Sequence, residues 1–138
     1  MIVIPGIPVA RARARAFSIG NKVRHYDSQK KEFERIVEHM KFLIVNEDFE
    51  KILNSHSYEL EIVFYMPIPT CTPKKMMYQM SFESVPHVKK PDLDNLVKMY
   101  LDCANGILIH DDRKIYSIKA KKVYSTFPRT EMTIHVTS

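Results

Sequence analysis

The chain has 138 residues, 45% hydrophobic and 27% charged, with 21 Lys+Arg against 16 Asp+Glu and a formal net charge of +5. That length suits one domain over residues 1–138, since a chain near 150 residues buries roughly 68–70% of its unfolded surface without covalent staples. It contains no apolar run of 18 residues, which excludes a membrane-spanning helix, and its two cysteines exclude a disulfide framework and a Cys/His zinc array.

Cys71 and Cys103 read as reduced thiols of a cytoplasmic protein. The excess of basic charge suits a polyanion, of which nucleic acid is the commonest. The opening MIVIPGIPVARARARAF places apolar before basic residues, the reverse of a secretory leader.

In chain order, MIVIPGIPV reads as an edge strand that bends or ends at Pro5, Gly6 and Pro8. The ARARARAF run follows. If it is extended, Arg11, Arg13 and Arg15 share one face; if it is helical, they spread around the cylinder. YDSQKKEFERIVEHMKFLIV has Phe33, Ile36, Val37, Met40, Leu43 and Ile44 at helical spacing, with Asp27 or Ser28 as cap. NEDFEKIL predicts a short second helix capped by Asn46.

YELEIVFYM then alternates, with Tyr58, Leu60, Ile62, Phe64 and Met66 on one face and Glu59 and Glu61 on the other. This is a half-buried strand stopped by Pro67 and Pro69. Residues 70–90 form a basic connection, with Thr72-Pro73 as cap and first-turn proline of a helical turn or two, expected to be mobile without a ligand. From Asp92 a second strong helix carries the stripe Leu93, Leu96, Val97, Tyr100, Leu101 and Ala104, closed by Asn105-Gly106. IYSIKAKKVY and EMTIHVTS alternate as two final strands. The pattern is α/β: a small mixed sheet with helices packed on it.

The chemistry concentrates in HVKKPDLDNLVKMYLDCANGILIHDDRK. Asp92 and Asp94 start the helix, where capping and the helix dipole already favour negative charge. Asp94, Lys98 and Asp102 continue as a polar line at i, i+4, i+8, Asn95 adds a neutral oxygen, and the ILI run carries Asp111-Asp112 back towards the helix start. Four carboxylates converging on one helix end would repel one another, yet they suit a hard divalent cation. Mg²⁺, with Mn²⁺ able to stand in, takes oxygen ligands, retains waters and can orient one against a phosphodiester. Lys98 is placed to offset charge developing on the phosphate, or to form a plain surface pair with Asp94 or Asp102.

This stretch, KPDLDNLVKMYLDCANGILIHDD, resembles the RusA family of Holliday junction resolvases, small endodeoxyribonucleases common in phages and prophages. The likeness is dense over residues 90–112. It extends more weakly to IPGIPVARARARAF…YDSQKKEFE, FYMPIPTCTPKKM and the strand-rich end. It implies Asp92, Asp94 and Asp112 as metal-binding carboxylates, Lys98 as the essential lysine, and Asn95 and Asp102 in support. Asp111 is a second-rank ligand, because adjacent strand residues point to opposite faces. The resemblance also implies a homodimer acting on four-way junctions and other branched DNA in recombination and repair, the junction's two-fold symmetry calling for two symmetric nicks. Where well-known members carry arginine before the first motif aspartate, this chain has Pro91 after Lys89-Lys90, which bears on sequence preference at the cut.

Arg11, Arg13, Arg15, Arg24, Lys74, Lys75, Lys89 and Lys90 are the expected DNA-contacting cations. His110 adjoins the Asp pair. Two rivals remain at this point. Pro91-Asp92 with Asp112-Arg113-Lys114 fits the loose PD…(D/E)xK pattern of restriction-type nucleases, with Lys114 as the catalytic lysine. Alternatively, the protein is a non-catalytic basic DNA-binding module whose aspartates only cap a helix.

Overall fold

The structure, a computed structural model, describes residues 1–12, 15–19, 22–26, 29–44 and 54–137, with the side chains of 15–19, 22–26 and 137 outside that description. The expected helix in NEDFEKIL and the Asp27 or Ser28 cap lie outside the described residues.

The elements run β1 (Ile2–Pro5), β2 (Arg15–Ile19), β3 (Lys22–Tyr26), α1 (Lys30–Ile44), β4 (Ser57–Pro67), α2 (Lys74–Met80), α3 (Leu93–Ala104), a 3₁₀ turn (Asp112–Lys114), β5 (Ile115–Ser125) and β6 (Arg129–Thr137). Four strands make one mixed sheet in the order β1-β6-β4-β5, while β2 and β3 form a separate antiparallel hairpin. β6 runs antiparallel to both β1 and β4, and β4 runs parallel to β5. A parallel pair needs a long crossover; here residues 68–114 supply it, and the candidate site lies within them.

The alternation in β4 explains the core. Tyr58, Leu60, Ile62, Phe64 and Met66 are all buried and meet Ile36 and Met40 of α1 and Leu96, Met99, Tyr100, Cys103 and Ala104 of α3. Burying each large apolar side chain contributes about 1.5–3 kcal/mol. On the opposite face, Glu59, Glu61, Val63 and Tyr65 are exposed or half-buried. The molecule is thus a two-layer α/β fold. The buried face of α3 is rotated from the stripe the sequence suggested: Met99 and Cys103 are buried, whereas Leu93, Val97 and Leu101 are only partly covered. The sheet and α1 together cover the 96–99–100–103 face, Cys103 lying against the Phe33 carbonyl of α1, so the flanking leucines and valine line its edges.

The end of α3 departs most from expectation. Gly106 adopts φ +80° just beyond the last turn, where glycine avoids a Cβ penalty. The ILI run does not return along the helix. The amides of Ile107, Leu108 and Ile109 all reach the Ala104 carbonyl, Gly106 donates to the Ile109 carbonyl, and Leu108 and Ile109 fold into the core. Burying two large apolar side chains beneath the helix end holds the chain there. At the other crossover helix, Pro73 rather than Thr72 takes the capping position of α2, and no side chain caps it.

Candidate active site

Of the connection over residues 70–90 that was expected to be mobile without a ligand, the part leading into α3 is fastened at three places. At its start, Glu83 has a left-handed φ of 61°, a conformation that costs a non-glycine residue about 1–2 kcal/mol. Its carboxylate accepts from Arg129 Nη1 and Ser125 Oγ, each at 2.7 Å, which offsets that cost. These donors hold the Glu83 carboxyl below its usual range. Arg129 also pairs with Glu131 at 2.8 Å and lies 3.7 Å above the centre of the Tyr65 ring. Next, Pro86 bridges Val123, the Tyr124 amide donates to the Val85 carbonyl, and the His87 amide donates to the Lys122 carbonyl. Finally, Lys122 Nζ donates to the carbonyls of Lys89 and Pro91. The strap therefore adds short strand-like pairing to the far half of β5 and delivers the chain to Asp92.

Asp92 occupies the N-cap position of α3, with φ −70° and ψ 142°, yet its side chain makes no capping hydrogen bond. Its carbonyl accepts from Leu96 in the first turn. Asp94 lies in that turn, and both aspartates are exposed, with no side-chain partner among the described residues. The plain capping explanation for Asp92 is thus unrealised. Two exposed carboxylates lie within the first turn, at the positive end of a helix dipole and available to an outside cation. Lys98, one turn further and exposed, reaches Asp102 at 3.6 Å, and Arg11 Nε reaches the same carboxylate oxygen at 3.5 Å.

Asp102 therefore organises two cations rather than standing free. Arg11 also donates its amide to the Asn95 carbonyl at 2.8 Å and lies over Phe33, so it is drawn into the α1–α3 face instead of an open phosphate-tracking surface. The Asn95 backbone is what the structure engages. Arg13 and the side chains of Arg15 and Arg24 lie outside the described residues; Lys74, Lys75, Lys89 and Lys90 are all exposed. Gln29 closes the base of the β2–β3 excursion by accepting from Ala12 and donating to the Ala10 carbonyl. The hairpin escaped sequence reading, although Gly20-Asn21 between two alternating runs is a turn signal.

The second aspartate pair is elsewhere. α3 has 12 residues, about 18 Å of helix, and Asp111-Asp112 follow its far end. The chain regains the strap only at Lys122, about 23 Å along β5 from Ile115. Among the described residues, no three His, Cys, Asp or Glu side chains gather as a metal site. The expected convergence within one chain is not formed, because the turn under the helix end keeps the pair there.

The pair also lies on a turn rather than a strand. Asp111 caps the 3₁₀ turn, accepting from the Arg113 amide and from Arg113 Nε, each at 2.9 Å. The Arg113 side chain is the main cause holding the Asp111 carboxyl down at about 2. His56, Ser57, His110, Asp111, Arg113, Lys114 and Tyr116 line an open cleft beside it. Lys114 Nζ binds the Ser55 carbonyl at 3.2 Å. The restriction-type reading therefore loses its geometry: a helix separates its halves, and its lysine serves the backbone at the far end.

The donor set at Asp92 and Asp94 fits Mg²⁺, which is commonly held by one or two carboxylates plus waters and a substrate phosphate. A basic α/β domain with an unpaired carboxylate pair and a lysine one turn on has the equipment of a phosphodiester-cleaving protein. Residues 5–135 match the family described as Endodeoxyribonuclease RusA, and the chain belongs to that family. It is also similar to a Bacillus subtilis (strain 168) protein named Uncharacterized protein YqaN, with 29% identity over 136 residues, covering 96% of this chain and 93% of the other. No described helix is long and apolar enough to cross a membrane.

Proposed function

We propose that this protein is a Mg²⁺-dependent, structure-selective endodeoxyribonuclease that resolves four-way DNA junctions by paired symmetric nicks, as a homodimer, in recombination and repair. The observation that carries the reading is the Asp92–Asp94 pair, exposed at the start of α3 and unpaired among the described residues, in a chain of this family. These carboxylates hold the metal, with Mn²⁺ able to replace it. When bound, the metal supplies a Lewis acid and a water of lowered pKa.

The chain's own groups do the rest. The helix start places both carboxylates within its first turn. Lys98, steadied by Asp102, carries a positive charge towards the phosphate, where charge accumulates as the bond breaks. Lys74, Lys75, Lys89 and Lys90 present cations to the DNA backbone. Asp112, at the far end of α3 in its own chain, joins a carboxylate pair only from a second copy, which is a further reason to favour the homodimer.

The test is a labelled synthetic four-way junction incubated with and without Mg²⁺ beside a linear duplex of the same sequence. Symmetric nicks in the junction alone, and only with metal, support the reading. Absent cleavage, or equal cleavage of the duplex, overturns it.

A further inference from the structure

We infer that Lys122 is a positioning residue for the Asp92–Asp94 pair, an inference that rests on the nuclease reading above. On β5 the lysines differ sharply: Lys119 and Lys121 are exposed, whereas Lys122 is half-buried. Its ammonium donates to the Lys89 carbonyl and, at 2.6 Å, to the Pro91 carbonyl, spanning the turn that ends at Asp92. Its own carbonyl accepts from the His87 amide at 3.0 Å.

An ammonium has three donors and no acceptor, and its bonds to carbonyls are charge-assisted. It therefore suits two converging backbone oxygens better than a hydroxyl or amide side chain of similar reach. Because the Asp92 side chain makes no capping bond, the backbone alone sets where its carboxylate starts. The backbone atom immediately before Asp92 is the Pro91 carbonyl that Lys122 grips. His87 itself packs on Tyr124 with ring centroids 4.8 Å apart.

Two effects of opposite sign separate this role from a simple charge. A cation near a metal site repels the metal, so removing it should tighten Mg²⁺ binding if charge were the whole story. If Lys122 acts by holding the turn, its removal should weaken binding, and losing a group that orients a metal ligand costs about 10–100-fold.

The experiment compares wild type, Lys122→Met and Lys122→Arg. Readouts are Mn²⁺ binding to the DNA-free protein by electron paramagnetic resonance, the Mg²⁺ concentration for half-maximal junction cleavage, and junction binding in EDTA. For Lys122→Met the expected result is roughly 10-fold weaker Mn²⁺ binding and a Mg²⁺ requirement raised by a similar factor. Cleavage at saturating Mg²⁺ and junction binding in EDTA should stay near wild type, and Lys122→Arg should recover most of the loss. Unchanged or tighter Mn²⁺ binding in Lys122→Met overturns the proposal, as does a loss confined to junction binding in EDTA. Should Lys122→Met fail to fold by circular dichroism, Lys122→Gln carries the same comparison. A wild-type protein that cleaves the junction while Lys122→Met matches it throughout defeats this inference alone. A wild type whose Mn²⁺ binding survives Asp92→Asn defeats the nuclease reading and this inference together.

Discussion

Aspartates flank both ends of α3, and Asp111 beyond the far end is bonded on the opposite principle to Asp92 and Asp94 at the start. At the start, Asp92 and Asp94 are exposed, make no side-chain bonds to described residues, and rest on a strap fastened to β5 and to Arg129. At the far end, Asp111 is absorbed by its own turn, with two bonds from Arg113 and a carboxyl held down at about 2. A carboxylate whose lone pairs are already taken serves the fold. One left unpaired at a helix start, with its backbone held from behind, is kept for something that arrives. Sequence proximity and charge type are alike at both ends, so only the bonding separates them.

The largest test of this contrast is chemical. Asp92→Asn or Asp94→Asn should lower Mg²⁺-dependent junction cleavage by more than about 100-fold while junction binding persists, as metal-site losses exceed those of supporting residues. Gel-shift and cleavage assays on one preparation read both quantities. The strap comes next. Arg129→Ala strips Glu83 and Glu131 of a partly buried partner and should cost about 1–2 kcal/mol, seen as a lower urea midpoint.

A smaller effect follows from His87, whose pKa is lowered by burial first and by the charge of Lys122 second. The unfolded chain takes up that proton near 6.5, before the folded chain does. Stability is therefore full above that pH and is lost as pH falls through it towards the lowered folded value. Melting temperature against pH should show this decline in wild type and less of it in His87→Gln. The smallest effect is expected for Asp111→Asn, which should leave cleavage within about threefold of wild type, because its bonds stay within an exposed turn. A drop as large as that of Asp92→Asn would erase the distinction between the two ends.

Much of this architecture was legible in the residues. Strict alternation from Tyr58 to Met66 marked β4 and its buried face, because a strand covered on one side leaves a period of two. The helical spacing of Ile36 and Met40 marked α1 for the equivalent reason. The aspartates of the helix start were legible as candidates. Their separation from Asp111-Asp112 was not, since it depends on Leu108 and Ile109 burying beneath the helix end, a tertiary event that short-range pattern does not encode. The parallel pairing of β4 with β5 was hidden likewise, its partners being far apart in the chain. Lys122 was indistinguishable from Lys119 and Lys121 because its partners are backbone oxygens, which have no letter in a sequence. The one available hint was its place on the same side of the strand as Ala120 and Tyr124.

The burial of Cys103 gives the molecule a built-in clock. Its thiol is pushed up to about 12, mainly by loss of solvent and then by the Asp102 charge, while Cys71 is exposed. Thiolates are what alkylating reagents attack, so Cys71 should label at once, whereas Cys103 should label only when the packing between α3 and α1 opens. The slow phase of a two-thiol reaction then reports how often the interior opens, with no probe added to the chain.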